Sequence, residues 1–306
     1  MLGMKTYLGW KIDFLNPEGE PAFAGPDSVS WRVFKNPIAL GIGGIAAVLL
    51  EFADARIRSG VWDHSVFKTD PVGRSQRTGV AAMVGVYGPQ GAARRVIQGV
   101  TNMHARVKGE TPSGEPYSAL DVDLLDWVSA TASYGFLTAY DRFVAPVSEA
   151  DKTRFFTEGE AVARLYGVQH PLTSEADFHA MLCGLLPRFE PHPINTEFLD
   201  IMKSGRAAKG VPKGLQSAVV HAAVSILPVA VRERLELGSE YDLTPRGARV
   251  VRLMGAVAER IPVPQSPAGQ ACARLGLPAT FLWKSPEKQA SMLRKTQEGL
   301  AASLAH

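Results

Sequence analysis

Cysteine is scarce: Cys183 and Cys272 are the only two in 306 residues. They form no CxxC pair and have no ligand-spaced histidine nearby, which removes a disulfide framework and a zinc-finger site from consideration. Each lies in an apolar run (Met181-Leu182-Cys183 and Ala271-Cys272-Ala273), the setting of a buried, reduced thiol, so a reducing compartment is expected. No Lys/Arg run forms either. With a net charge of +3, scattered along the chain, no nucleic-acid partner is expected. The most membrane-like stretch, Pro37 to Leu50, is fourteen residues without a charge and then meets Glu51, Asp54, Arg56 and Arg58. That is short of a bilayer span and reads as a buried core helix. Residues 1 to 16 carry Lys5, Lys11 and Asp13 and no apolar leader core, so a cytoplasmic location is expected. There is no Gly-rich phosphate loop after a strand, no HExxH and no GxSxG, and no nucleophile–base pair of a hydrolase is legible. Internal repeats and sustained strand-like alternation are absent too.

What is present is helix. The hydrophobic fraction of 46% and charged fraction of 21% are those of a folded domain. Residues 1 to 36, rich in Gly, Pro and aromatics (Trp10, Phe14, Phe23, Trp31, Phe34), read as an irregular arm packed on the core. Helical spacing then predicts helices over 38–59, 74–86, 89–108, 119–139, 149–167, 175–186, 194–203, 213–236, 244–260 and 287–304. Ser148 and Ser174 are suited to cap two of them, Pro89 to open one and Gly109 to stop it. Residues 61 to 72, with Trp62-Asp63-His64-Ser65 and Phe67, read as a loop. The expected architecture is a single all-α domain over 37–261, preceded by the 1–36 arm and followed over 262–306 by a Pro-rich tether and C-terminal helix.

Three groups of residues have chemical potential. Arg74, Arg77 and Thr78, three and four apart, share a helix face. Two guanidiniums and a hydroxyl there suit an anion, a carboxylate or a polarised oxygen species. On spacing alone a solvated helix face is the simpler account. His104 falls on the apolar face Ala93, Val96, Ile97, Val100, Met103, His104, Val107. Such a histidine is either a core residue bonded to a carbonyl or an axial ligand oriented by its other nitrogen. The Asp63-His64 pair is a pocket wall or a local turn. His170, His179, His192, His221 and His306 have no ligand-like mutual spacing.

Taken in order, several pieces resemble a known family. Arg74-Ser75-Gln76-Arg77-Thr78 is followed by His104-Ala105-Arg106-Val107-Lys108-Gly109, then by Tyr117-Ser118-Ala119 and Leu124-Leu125-Asp126-Trp127-Val128. Upstream lie Leu49-Leu50, Gly60-Val61 and Asp63-His64-Ser65-Val66-Phe67, and downstream Leu227-Pro228 with Val231-Arg232. Over roughly residues 35 to 240 this order is similar to the latex-clearing proteins (rubber oxygenases) and the MpaB-type oxygenases.

The resemblance implies a globin-like helical core holding haem b, with His104 as the proximal iron ligand. It places Arg74, Arg77 and Thr78 on the distal side or near the haem edge. His64 and Trp127, in the matched pieces, are the further residues expected near the cofactor. The implied activity is that of a haem-dependent oxygenase using dioxygen on a hydrophobic small molecule, with distal cations and hydroxyls stabilising developing negative charge. Three departures bear on the reaction more than on the haem. Ser129 follows Trp127-Val128 where members often carry histidine, Asp54-Ala55 stands in place of a His-Pro pair, and Arg77 replaces the lysine of rubber oxygenases. A non-catalytic haem sensor or carrier, and a haem-free helical binding module, are the alternatives.

Overall fold

Capping residues set the helix starts. The computed structural model describes residues 4–67, 69–204 and 212–304. Strands β1 (Thr6–Tyr7) and β2 (Trp10–Lys11) form an antiparallel hairpin through Leu8 and Gly9, both at positive φ (47° and 76°). That turn twists the way paired strands do, but leucine rarely adopts a left-handed backbone. Leu8 is held by packing on Gly99, where an added Cβ would stand 3.1 Å from the Leu8 side chain.

Helix α1 (Val29–Phe34) is capped by Ser28, and α2 (Pro37–Phe52) by Asn36, whose side chain accepts from the amides of Ile38 and Ala39. The spacing predicts one helix through 59, yet the chain bends by 111° into α3 (Ala55–His64). Asp54 explains the break. Its carboxylate caps α3 at the Arg56 amide and also takes the Arg56 guanidinium, which reaches across to Asp123 at 2.7 Å. Trp62, Asp63 and His64, expected in a loop, are the last turn of α3.

Asp70 caps α4 (Pro71–Tyr87), and α5 (Gln90–His104) follows. The chain leaves α5 four residues before the expected end and forms a second small hairpin, β3 (Lys108–Glu110) with β4 (Pro116–Ser118), turning at Gly114. These hairpins correct the expectation of no strand. Next come α6 (Val122–Phe143), α7 (Glu149–Glu158), α8 (Glu160–Leu165), α9 (Glu175–Leu185) and α10 (Pro193–Lys203). The last are α11 (Lys213–Ser225), α12 (Val229–Arg234), α13 (Pro245–Arg260), α14 (Pro267–Arg274) and α15 (Pro286–Leu304). The fold is all-α, as expected.

The centre is the α2–α6 pair. Gly43 and Gly135 meet backbone to backbone: a Cβ on Gly43 would stand 2.7 Å from the Gly135 carbonyl, and one on Gly135 2.6 Å from that of Gly43. Any larger residue at either place would push the two helices apart. Around this pair Trp10, Phe14, Trp31 and Phe34 of the N-terminal segment are buried, whereas Phe23 is half-buried under Arg94. After the Pro-rich run, α14 packs into the body. Arg274, 1% exposed, donates to the carbonyls of Glu20, Phe14 and Tyr87 at 2.6–2.8 Å. Cys272 is buried as expected; Cys183 is exposed on α9, because its helix turns only Phe178 and Leu182 inward. Among the described residues no single helix is long and apolar enough to cross a membrane.

Candidate active site

Several elements contribute charged and polar side chains to one place. Pro71 and the Asp70 cap fix the start of α4, so Arg74 falls one turn in, on the side facing α2. The last turn of α2 ends its fourteen-residue uncharged run with Glu51. The last turn of α5 carries His104, the middle of α6 carries Thr131, and the N-terminal hairpin carries Tyr7. Glu51, Arg74 and Tyr166 are deeply surrounded by protein and desolvated, Arg74 lies within charge range of Glu51, His104 and Tyr7, and Tyr7 within range of Tyr166, so these side chains form one cluster. Val48, one turn before Glu51, and Val128, one turn before Thr131, are half-buried and give this polar group an apolar wall.

The electrostatics follow from low solvation. Burial pushes the Glu51 carboxyl up to about 7, against the pull of Arg74 and a hydrogen bond from Thr131 Oγ1 at 3.4 Å. Burial lowers the pKa of Arg74; Glu51 opposes this and Arg77 reinforces it. The guanidinium remains a cation, as arginine does in proteins. Among the described residues it makes no ion pair and no side-chain hydrogen bond, and its nearest recorded aromatic contact is Phe67, at 5.9 Å from the ring centre. Burial, and then the charge of Arg74, lower the pKa of His104, so its imidazole is neutral at physiological pH. Among the described residues neither ring nitrogen of His104 has a hydrogen-bond partner. Burial raises the pKa of Tyr7, against the pull of Arg77 and Arg74.

The structure therefore brings Arg74, Arg77 and His104 together and leaves the other sequence-predicted residues outside. Arg77 is half-buried, 3.7 Å from Asp70, and its charge reaches Tyr7 and Arg74. Thr78 is exposed, its hydroxyl donating to the Arg74 carbonyl at 3.2 Å, so it is spent on its own helix. His64 is exposed, with Nε2 3.2 Å from the Tyr117 hydroxyl. Trp127 is 1% exposed; its indole donates to the Leu50 carbonyl at 3.1 Å and its ring stacks on Phe178, on the α9 side of α6. Met103, expected on the apolar face, is 43% exposed, because the inward face of α5 runs Ala93, Val96, Ile97, Val100 and His104.

Sequence reasoning missed Glu51, Thr131 and Tyr7. Glu51 had a signal: it sits at helical spacing from Gly44 and Val48, so a lone carboxylate extends a core stripe. Tyr7 had none, since only the tertiary fold brings the hairpin to α4.

Two features bear on what this cluster can hold. Among the described residues no three His, Cys, Asp or Glu side chains converge, so a metal held by protein ligands alone lacks its donor set. A haem needs only an axial ligand from the protein, because the porphyrin supplies the other nitrogens. A neutral, unpartnered imidazole at the end of a rigid helix fits that requirement.

The search of curated proteins and the search of solved structures return no match. A family model does match, described as "ER-bound oxygenase mpaB/B'/Rubber oxygenase, catalytic domain", over residues 31–260. That match spans most of the chain and contains Glu51, Arg74, Arg77, His104 and Thr131. The protein belongs to this family and carries its oxygenase catalytic domain.

Proposed function

We propose that the protein is a haem-b-dependent oxygenase acting on a hydrophobic small molecule with dioxygen, and that His104 is the proximal iron ligand. The supporting observation is the desolvated imidazole of His104, without a hydrogen-bond partner among the described residues, clustered with Arg74 and a perturbed Glu51. When bound, haem supplies the activation of dioxygen that no side chain can provide.

The protein's own groups do the rest. Arg74 and Arg77 hold fixed positive charge in a poorly solvated space, where it acts strongly on negative charge developing in a reacting molecule. Glu51 holds a proton on its carboxyl below about pH 7 and releases it above, so near neutrality it can serve as acid or base. The hydroxyl of Thr131, which donates to the Val128 carbonyl at 2.9 Å, lies 3.4 Å from one of the Glu51 carboxyl oxygens. Val48 and Val128 exclude water and orient an apolar substrate, while Tyr7 closes the N-terminal side.

The test is a visible absorption spectrum of the protein loaded with haemin, with His104→Ala beside it. The expected result is a Soret band that the substitution abolishes or shifts. A band unchanged in His104→Ala would reject the ligand assignment. A wild type that takes up no haemin would reject the haem reading and leave the oxygenase family without its proposed cofactor here.

A further inference from the structure

Helix α13 buries one face and, among the described residues, leaves the other without a partner. Val251 is fully buried, and a Cβ on Gly255 would meet the Phe143 carbonyl at 2.4 Å, so this side is clamped to the end of α6. Glu259 points inward to Lys35, Asn36 and Tyr140. The outward side carries Val250 (39% exposed), Leu253 (66%), Val257 (46%) and, just past the end, Ile261 (55%). Steps of three and four place these on one stripe. Val263 continues it at 47%.

Along the flank of the stripe lie Arg246, Arg249, Arg252 and Arg260, all exposed. Among the described residues none of the four makes an ion pair. The one acidic residue within α13, Glu259, is turned away, so the face is purely cationic and aliphatic. Beside its N-terminal half, Arg252 shares an open cleft with Arg142 and Arg232, which extends the positive surface. Arg142 donates to the Ser225 carbonyl and Arg232 pairs with Asp242, whereas Arg252 is unpaired.

We propose that the outer face of α13 docks on an anionic phospholipid bilayer, its aliphatic stripe entering the headgroup boundary and its arginines facing lipid phosphates. Charge decides the occupant. A second copy seated on the same face by a two-fold axis would set four uncompensated arginines against four. An anionic lipid surface satisfies both halves of the pattern, aliphatic side chains in the interface and guanidiniums on phosphate. The inference is independent of the haem reading, since α13 contributes nothing to the Glu51–Arg74–His104 cluster.

The test is co-sedimentation of the full chain with vesicles of phosphatidylcholine alone and of phosphatidylcholine mixed with phosphatidylglycerol, at low and high salt. Binding to the mixed vesicles is expected, weakened by salt and much reduced on phosphatidylcholine alone. The pair Leu253→Asp and Val257→Asp should abolish it with an unchanged thermal melt, because both side chains are exposed. Should that variant fold poorly, Arg249→Gln, Arg252→Gln and Arg260→Gln together provide the second arm. Loss of roughly fivefold per arginine is expected, about a hundredfold for the three. Equal affinity for both vesicle types, no binding to either, or binding unaltered by the substitutions would overturn the proposal.

Discussion

Two of the regions that bury charge treat it in opposite ways. Around α14 and α13 every buried charge is saturated. Arg274 donates to three backbone carbonyls, two in the N-terminal arm and one at the end of α4, and Glu259 accepts from Lys35, Asn36 and Tyr140. In the cluster contributed by α2, α4 and α5, among the described residues the Arg74 guanidinium has no ion pair and no hydrogen bond, Glu51 has one long hydrogen bond, and the His104 ring has none. Saturated networks fix a fold; partly satisfied ones cost stability and persist where something else is to be bound. Carboxylate, guanidinium and aromatic hydroxyl occur in both regions, so the number of partners, and not the residue types, separates framework from site.

The sharpest way to break the comparison is at Arg274. Methionine in its place would fill much of the space and leave three buried carbonyls without donors. A loss of roughly 3–5 kcal/mol is expected in a denaturant midpoint, among the largest single-residue effects in the chain. The arm that these bonds hold, including the hairpin bearing Tyr7, would loosen with it. A loss under about 1 kcal/mol would mean that the network is not the anchor described.

Glu51 should answer with the opposite sign. Its carboxyl titrates near 7 in the folded protein and near an ordinary 4.5 when unfolded. The folded state therefore binds the proton more tightly, and this group's contribution to stability falls as pH rises from about 4.5 through 7. Glu51→Gln removes that dependence. The variant should be more stable than wild type at pH 8, by about 1–3 kcal/mol after allowing for partial solvent access, and nearly equal to it at pH 4. Paired thermal melts at the two pH values measure the difference; a constant offset would show that the carboxyl does not titrate as argued. Turnover in the same variant should fall and lose a pH limb near 7.

How much of this was legible in the sequence depends on the range of the interaction that decides it. Helix starts at Asn36, Ser148, Ser174 and Thr244 are set by a side chain meeting an amide two or three residues on. Breaks inside apolar patterns are harder. The bend at Asp54 needs Arg56 and the distant Asp123, and the split of 213–236 at Pro228 interrupts a periodicity that looks continuous. The short hairpin after α5 was hidden because Gly109 reads equally as a helix stop and a strand residue. In the site, Arg74, Arg77 and His104 were reachable because helical spacing and order along the chain carry them. Tyr7, Thr131 and the role of Glu51 were not, since their proximity exists only after α2, α4, α6 and the N-terminal hairpin have packed. Conversely, Thr78, His64 and Trp127 lie in the same motifs and sit elsewhere, because a motif can contain framework as well as chemistry.

Trp127 and His64 sharpen the same distinction with smaller effects. Trp127→Phe keeps most of the stacked contact with Phe178 but removes the donor to Leu50. A cost of about 1–2 kcal/mol is expected, with the spectrum of the haemin-loaded protein unchanged. A spectral shift would place Trp127 against the cofactor after all.

His64→Ala should do least. The ring is exposed, and its single polar contact is to Tyr117 Oη on the second hairpin. Removing one part-buried hydrogen bond and one edge-on ring contact at 6.3 Å costs about 1 kcal/mol or less. Exposure, not motif membership, is the basis for that expectation, and the same criterion favours His104 in the proposed site. If His64→Ala abolished haemin uptake while leaving the melt unchanged, exposure would be the wrong guide to which histidine binds, and the proposed site would have to be sought at the end of α3 instead of beside Arg74 and Glu51.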